Sequence, residues 1–178
     1  MNKKLAIIFS SKHGLTEKIC SVIKSNLDKE IHIDIYPVKL SNNTDFSGYK
    51  IIVIGSSIYH GRHDKKIYSL VKRNKNLLEK KKTAFFTVNV VARKKNKSNS
   101  SNNPYLIKFL KATNWKPDIT AVFAGQINYP VYSFINKFII RFIMYVTNGP
   151  TDTAKCHNFT NWKTVGNFAE KIKLLAKR

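Results

Sequence analysis

Between residues 10 and 16 the chain carries three hydroxyls, a lysine, a histidine and a glycine: Ser10-Ser11-Lys12-His13-Gly14-Leu15-Thr16. An apolar run, Leu5-Ala6-Ile7-Ile8-Phe9, precedes it, of the kind buried on both faces of a parallel sheet. After it Leu15, Ile19, Val22, Ile23 and Leu27 recur at helical spacing. A tight turn from strand to helix aims free amides and the positive end of the helix dipole at one point. Ser10, Ser11 and Thr16 add hydroxyl donors there, and His13 can donate as well. The chemistry this implies is capture of an anion, with phosphate the natural choice. Neither the dinucleotide fingerprint nor the Walker loop is present, so the pattern suits the single terminal phosphate of a mononucleotide such as FMN. Ser and Thr of this kind also cap ordinary helices.

Two further stretches hold candidate groups. Ser56-Ser57-Ile58-Tyr59 lies between Gly55 and Gly61, and Asn89-Val90-Val91-Ala92-Arg93 follows a later apolar run. Backbone groups of both can hydrogen-bond the edge of a flat heterocycle, and Tyr59 can lie against a ring face. His60 and His63 sit nearby, but as loop or helix-cap residues as readily as acid–base groups. Without a third ligand they make no metal site. His32 and His157 read as incidental, and no catalytic base is identifiable.

These residues need a scaffold, and the rest of the chain supplies it. Ile31, Ile33 and Ile35 alternate with His32, Asp34 and Tyr36, the period of a half-exposed edge strand. Lys50 to Gly55, Thr83 to Val88 and Ile119 to Gly125 are continuous apolar strands. A helix with Ile67, Leu70, Val71, Leu77 and Leu78 inward separates the first two. Tyr105 to Thr113 makes a short helix before the last strand. Between residues 94 and 104 runs a lysine, serine and asparagine loop with almost nothing to bury. The closing helix turns Trp162, Val165, Phe168, Ala169, Ile172 and Leu175 inward. Alternating βα units predict one α/β domain over residues 1–178. It is a doubly wound, five-stranded parallel sheet in the order 2-1-3-4-5, with ligands beyond the carboxyl ends of the strands.

One segment has no place in that scaffold. Residues 128–148, before the last helix, form a hydrophobic insert whose helix, Val131 to Val146, has Ser133, Lys137 and Arg141 on one narrow stripe with Asn136 alongside. It is shorter than the ~20 residues that cross a bilayer and carries two charges. It reads as an interfacial helix lying in a headgroup layer; core packing or a contact in a homo-oligomer are the alternatives.

Lys and Arg number 32 against 10 Asp and Glu, a net charge of +22. So strong an excess seeks anions, although part of it is compositional, as in Lys94-Lys95-Asn96-Lys97. A nucleic-acid module would interleave aromatics with the lysines; here the aromatics lie in strands and insert, so no nucleic-acid partner is expected. Cys20 and Cys156 read as reduced thiols of a cytosolic protein rather than a disulfide framework. Met1-Asn2-Lys3-Lys4 leads straight into the first strand, so no signal peptide is expected.

Taken together these segments resemble flavodoxin-like proteins, and more closely the quinone-dependent protoporphyrinogen IX oxidases of bacteria. The likeness runs through Ser10 to Gly14, Ile54 to Tyr59, Thr87-Val88-Asn89-Val90-Val91-Ala92-Arg93-Lys94, Asn114-Trp115-Lys116-Pro117-Asp118, Ala124-Gly125, Tyr129-Pro130 and Thr151-Asp152-Thr153. It implies an FMN enzyme of heme biosynthesis. Such an enzyme oxidises protoporphyrinogen IX to protoporphyrin IX and passes the electrons to menaquinone or ubiquinone. It would work peripherally on anionic lipid at the cytoplasmic face of the inner membrane. The implied cofactor residues are Ser10, Ser11, Lys12, His13, Gly14, Leu15, Thr16, Ser56, Ser57, Ile58, Tyr59, Asn89, Val90, Val91, Ala92 and Arg93. The substrate's propionates need cations, for which Arg93, Lys94, Lys137 and Arg141 are the candidates; a guanidinium pairs with carboxylate in a bidentate way. In simple flavodoxins the third loop is acidic and glycine-rich. Arg93-Lys94-Lys95 departs from that and argues against the alternative, a flavodoxin-like electron carrier or NAD(P)H-quinone reductase.

Overall fold

A computed structural model describes residues 4–27 and 31–177. The expectation attached to Met1, Asn2 and Lys3 lies outside the described residues. The chain runs through β1 (Lys4–Ser10), α1 (Leu15–Leu27), β2 (His32–Pro37), β3 (Ile51–Tyr59), β4 (Arg62–His63), α2 (Lys65–Arg73), α3 (Lys75–Lys80) and β5 (Lys82–Asn89). It continues with α4 (Pro104–Thr113), β6 (Ile119–Ala124), β7 (Gln126–Asn128), α5 (Phe134–Val146), β8 (Cys156–Asn158) and α6 (Trp162–Lys177). The long strands pair in parallel in the order β2-β1-β3-β5-β6, the doubly wound order expected, with β2 at the edge.

Alternation along the strands divides the core. Leu5, Ile7 and Phe9 of β1 pack with α1 and α6, among them Ile19, Ile23, Phe168 and Ile172. Ala6 and Ile8 face the opposite layer, with Ile67, Leu70, Val71 and Phe109 of α2 and α4. A third, smaller cluster of Ile127, Tyr129 and Met144 ties α5 to the antiparallel β7–β8 pair.

Four expectations need correction. β3 does not end at Gly55; it continues through Tyr59 and turns back through His60 and Gly61, both at positive φ, into β4. Gly55 itself serves packing, since a Cβ there would meet the Phe86 ring at 2.2 Å. The helix expected after β3 is two helices, because Asn74 caps α2 by donating its N–H to the Leu70 carbonyl before α3 begins. His63 is neither loop nor cap but a buried residue against Phe85 and Phe109, while Asp64 caps α2 through the Lys66 N–H. The segment from 94 to 104 is anchored rather than idle. Asn103 is fully buried, donates to Asn89 Oδ1 at 3.1 Å and to the Lys97 carbonyl at 2.8 Å, and caps α4.

Candidate active-site cleft

The carboxyl ends of β1, β3 and β5 and one face of α5 enclose a cleft of about 450 Å3. At the strand ends Ser10, Ser56 and Thr87 lie side by side in register across the three strands. At one end of the cleft is the loop from Ser11 to Thr16. Gly14 takes φ +81°, the left-handed turn that lets α1 start, and its carbonyl accepts the Lys18 N–H. Ser11 Oγ and Thr16 Oγ1 are both buried without a hydrogen-bond partner, although Thr16 is almost wholly enclosed. A buried unpaired hydroxyl costs roughly 1–3 kcal/mol, and two at the start of one helix form a donor set that an anion would satisfy. The phosphate of FMN fits this donor set.

Around that loop stand aromatic rings. His13 meets Tyr59 edge-on at 5.9 Å and Tyr132 at 5.6 Å, and Lys12 Nζ lies 5.1 Å from the Tyr59 ring centre. Partial burial, with the Lys12 ammonium adding to it, holds the His13 pKa below its ordinary value. The imidazole is therefore neutral near pH 7 and keeps one N–H to donate. Gln126 closes the loop from the far side by donating to the His13 carbonyl at 3.4 Å.

The β5 end is shaped by Asn89. Its Oδ1 accepts from the Ala92 N–H at 3.1 Å and from Asn103, and its carbonyl accepts from the Gly125 N–H at 3.0 Å. This fixes Val90, Val91 and Arg93 along the cleft, and Lys94 and Lys97 line it as well. Arg93 Nη2 donates to the Thr147 carbonyl at 3.0 Å and to its hydroxyl at 2.7 Å. A guanidinium thus sits on the carboxyl end of α5, where the helix dipole is negative.

α5 forms the wall facing the strand ends. Asn136, Ile139, Ile140, Ile143, Met144 and Thr147 recur at helical spacing and line the cleft. The sequence brought this helix to the substrate through its polar stripe, Lys137 and Arg141, and missed the row that does line the cleft; outside that stripe every face is largely apolar, which hides the inward one.

Not every expected residue reaches the cleft. Ser11, Lys12, His13, Leu15, Thr16, Ser57, Ile58, Tyr59, Asn89, Val90, Val91, Arg93 and Lys94 line it. Ser10 does not: its hydroxyl donates to Asp64 Oδ2 at 2.8 Å. Ser56 and Ala92 are buried behind the lining, and Gly14 contributes only its backbone turn. Lys137 and Arg141 fall on a helical stripe beside the lining row and are not brought in. His60, left open by the sequence, does line the cleft.

A doubly wound parallel sheet in the order β2-β1-β3-β5-β6, with a cleft at the carboxyl ends of its strands, is the flavodoxin-like class of α/β protein. The chain belongs to the flavodoxin domain family, whose model matches residues 6–154. It is 38% identical over 171 residues to the Escherichia coli (strain K12) protein named protoporphyrinogen IX dehydrogenase (quinone), covering 95% of this chain and 94% of that one. A protein of the same name from Leishmania major is 34% identical over 174 residues, covering 97% of this chain and 75% of that one, so the likeness is not confined to bacteria. Among solved structures, the two-electron reduced flavodoxin of Megasphaera elsdenii aligns with TM-score 0.51 at 14% identity, over 66% of this chain and 84% of that one, a likeness of fold.

Proposed function

We propose that this protein is an FMN-dependent enzyme of heme biosynthesis that oxidises protoporphyrinogen IX to protoporphyrin IX and delivers the electrons to a membrane quinone. One observation carries the reading: a single cleft joins unpaired phosphate-loop hydroxyls to basic residues and an apolar helical wall, in a chain similar over nearly its whole length to proteins named for this reaction.

Each two-electron step takes a hydride from a bridge carbon of the porphyrinogen and a proton from a pyrrole nitrogen. FMN, when bound, supplies the redox chemistry. The chain supplies position. Ser11 and Thr16 would hold the phosphate and Tyr59 would border the ring system. Arg93, Lys94 and Lys97 present positive charge to the substrate's propionates, Arg93 with Nη1 and Nε while Nη2 stays on Thr147. The apolar face of α5 excludes water from the reacting carbon.

The outer face of α5 supports a peripheral membrane location. Phe134 is 86% exposed, Phe138 67% and Phe142 62%, more bare aromatic surface than a helix in water sustains without a partner. Among the described residues no helix is long and apolar enough to cross a membrane. Lying in an anionic headgroup layer satisfies both facts, with each nearby basic residue adding roughly 1 kcal/mol.

The test is anaerobic. With FMN and a quinone, the purified protein should convert protoporphyrinogen to fluorescent porphyrin well above a quinone-only control. Equal fluorescence in the two would remove the reading.

A further inference from the structure

α5 has two unlike edges between its cleft face and its outer face. One edge carries Lys137 and Arg141, the polar stripe. The other carries Ile139 and Ile143, which line the cleft and yet are 48% and 47% exposed. Across that second edge the apolar lining passes without a polar residue into the exposed outer surface of Phe142 and Val146. Helical spacing makes this continuous: Ile139, Ile143 and Val146 are three to four residues apart and stack along one line.

An isoprenoid quinone is amphipathic in the same sense. Its ring is flat and accepts hydrogen bonds; its tail is a hydrocarbon. Drawing such a tail into water costs free energy with every methylene exposed, and a cleft of about 450 Å3 that also receives a flavin ring has no room for several isoprene units. The tail must stay in lipid while the ring enters the cleft, which requires an apolar gap in the wall on the lipid side. Only one of the two edges of α5 is such a gap, because burying hydrocarbon along Lys137 and Arg141 would desolvate charge.

We infer that the quinone enters ring first over the Ile139–Ile143 edge of α5, and that these two side chains hold the first isoprene units as the tail leaves for the bilayer. The inference rests on the reading above that a quinone is the electron acceptor. It makes Ile139 and Ile143 determinants of specificity for tail-bearing over tailless acceptors.

The experiment compares a long-tailed quinone with its tailless parent ring, both in nonionic detergent micelles, so that lipid charge plays no part. In the double variant Ile139→Asn/Ile143→Asn, the ratio of the two KM values (long-tailed over tailless) should rise roughly tenfold, the discrimination expected when apolar contacts are lost from a pocket. The opposite-edge variant Lys137→Gln/Arg141→Gln should leave that ratio at the wild-type value. A second readout is independent of turnover: a quinone bearing a photoreactive group on its first isoprene unit should label α5 between residues 139 and 146 in FMN-loaded protein. An unchanged KM ratio in the isoleucine variant, or labelling confined to other segments, overturns the inference while leaving quinone reduction intact. Wild-type protein that holds FMN but reduces neither quinone would instead remove the functional reading beneath it.

Discussion

At the scale of single residues, two buried side chains make opposite demands. Thr16 is almost fully enclosed with an unpaired hydroxyl, a cost to the protein that the phosphate of the proposed FMN would relieve. Thr16→Val keeps the shape and removes that cost. The ligand-free variant should be more stable by about 1 kcal/mol in urea unfolding, while FMN affinity by fluorescence titration falls roughly tenfold or more, the worth of a hydrogen bond to a charged group. Loss of both stability and affinity would mean the hydroxyl is structural. His63 has the reverse history: the sequence placed it near the cofactor, and the structure puts it among Phe85, Phe109 and Tyr68. Burial pushes its pKa down to about 4, partly offset by the Tyr105 backbone. The unfolded chain, with the ordinary value of about 6.5, therefore binds a proton more readily than the folded one. The stability held by neutral His63 is complete above pH 6.5 and is lost as pH falls toward 4, by about 3 kcal/mol in all. His63→Phe, which preserves the ring contacts, should flatten that decline in denaturation curves between pH 7 and pH 4.5; a variant whose curves fall in parallel with the wild type would contradict it.

At the scale of elements, α5 is held chiefly near its carboxyl end. Of its thirteen residues only Met144 is buried, and its carboxyl end is clasped by Arg93 through the two bonds to Thr147. Hydrogen bonds from a charged donor contribute about 1.5–3 kcal/mol. Arg93→Gln should accordingly speed amide exchange in the last turn of α5 by tenfold or more while α1 and α6 exchange as before; uniform protection would show that the hydrophobic cluster of Ile127, Tyr129 and Met144 suffices. The clasp was invisible in the sequence because its partners are 54 positions apart, and nothing in an arginine beside two lysines says which of them is engaged. The sheet was legible for the contrary reason: Leu5 to Phe9 and Lys50 to Gly55 are runs too apolar for anything but a central strand. The strand-to-helix turn at residues 10–16 was legible too, from an apolar run ending in hydroxyls and a glycine before helical spacing begins; that its hydroxyls serve an anion rather than cap the helix was not decided by residue type. The β3–β4 hairpin was not, because Gly55, Ser56, Ser57 and Gly61 are all turn-formers by type, and only the Phe86 ring against Gly55 shows that the first glycine is there for packing. Nor was Asn103, whose buried cap is one asparagine in a stretch full of them.

At the scale of the whole molecule, charge and apolar surface act over different ranges. On the proposed peripheral location, the +22 net charge would draw the protein to an anionic bilayer from about a Debye length away, roughly 8 Å at physiological salt, with a pull that fades as salt rises. Phe134, Phe138 and Phe142, exposed on the outer face of α5, would act only on contact, through apolar area removed from water, which salt does not weaken. The two contributions can therefore be separated in one titration. Wild-type protein should cosediment with anionic vesicles at low salt and retain a substantial bound fraction at ~0.5 M salt, where the Debye length has shrunk to about half. Phe134→Ser/Phe138→Ser/Phe142→Ser should bind at low salt through charge alone and be released as salt is raised. The triple variant should also keep its FMN absorbance, since none of the three side chains lines the cleft. Were it to stay bound at high salt as the wild type does, α5 would not be the part of the molecule that touches lipid, and the basic surface would need a different apolar neighbour.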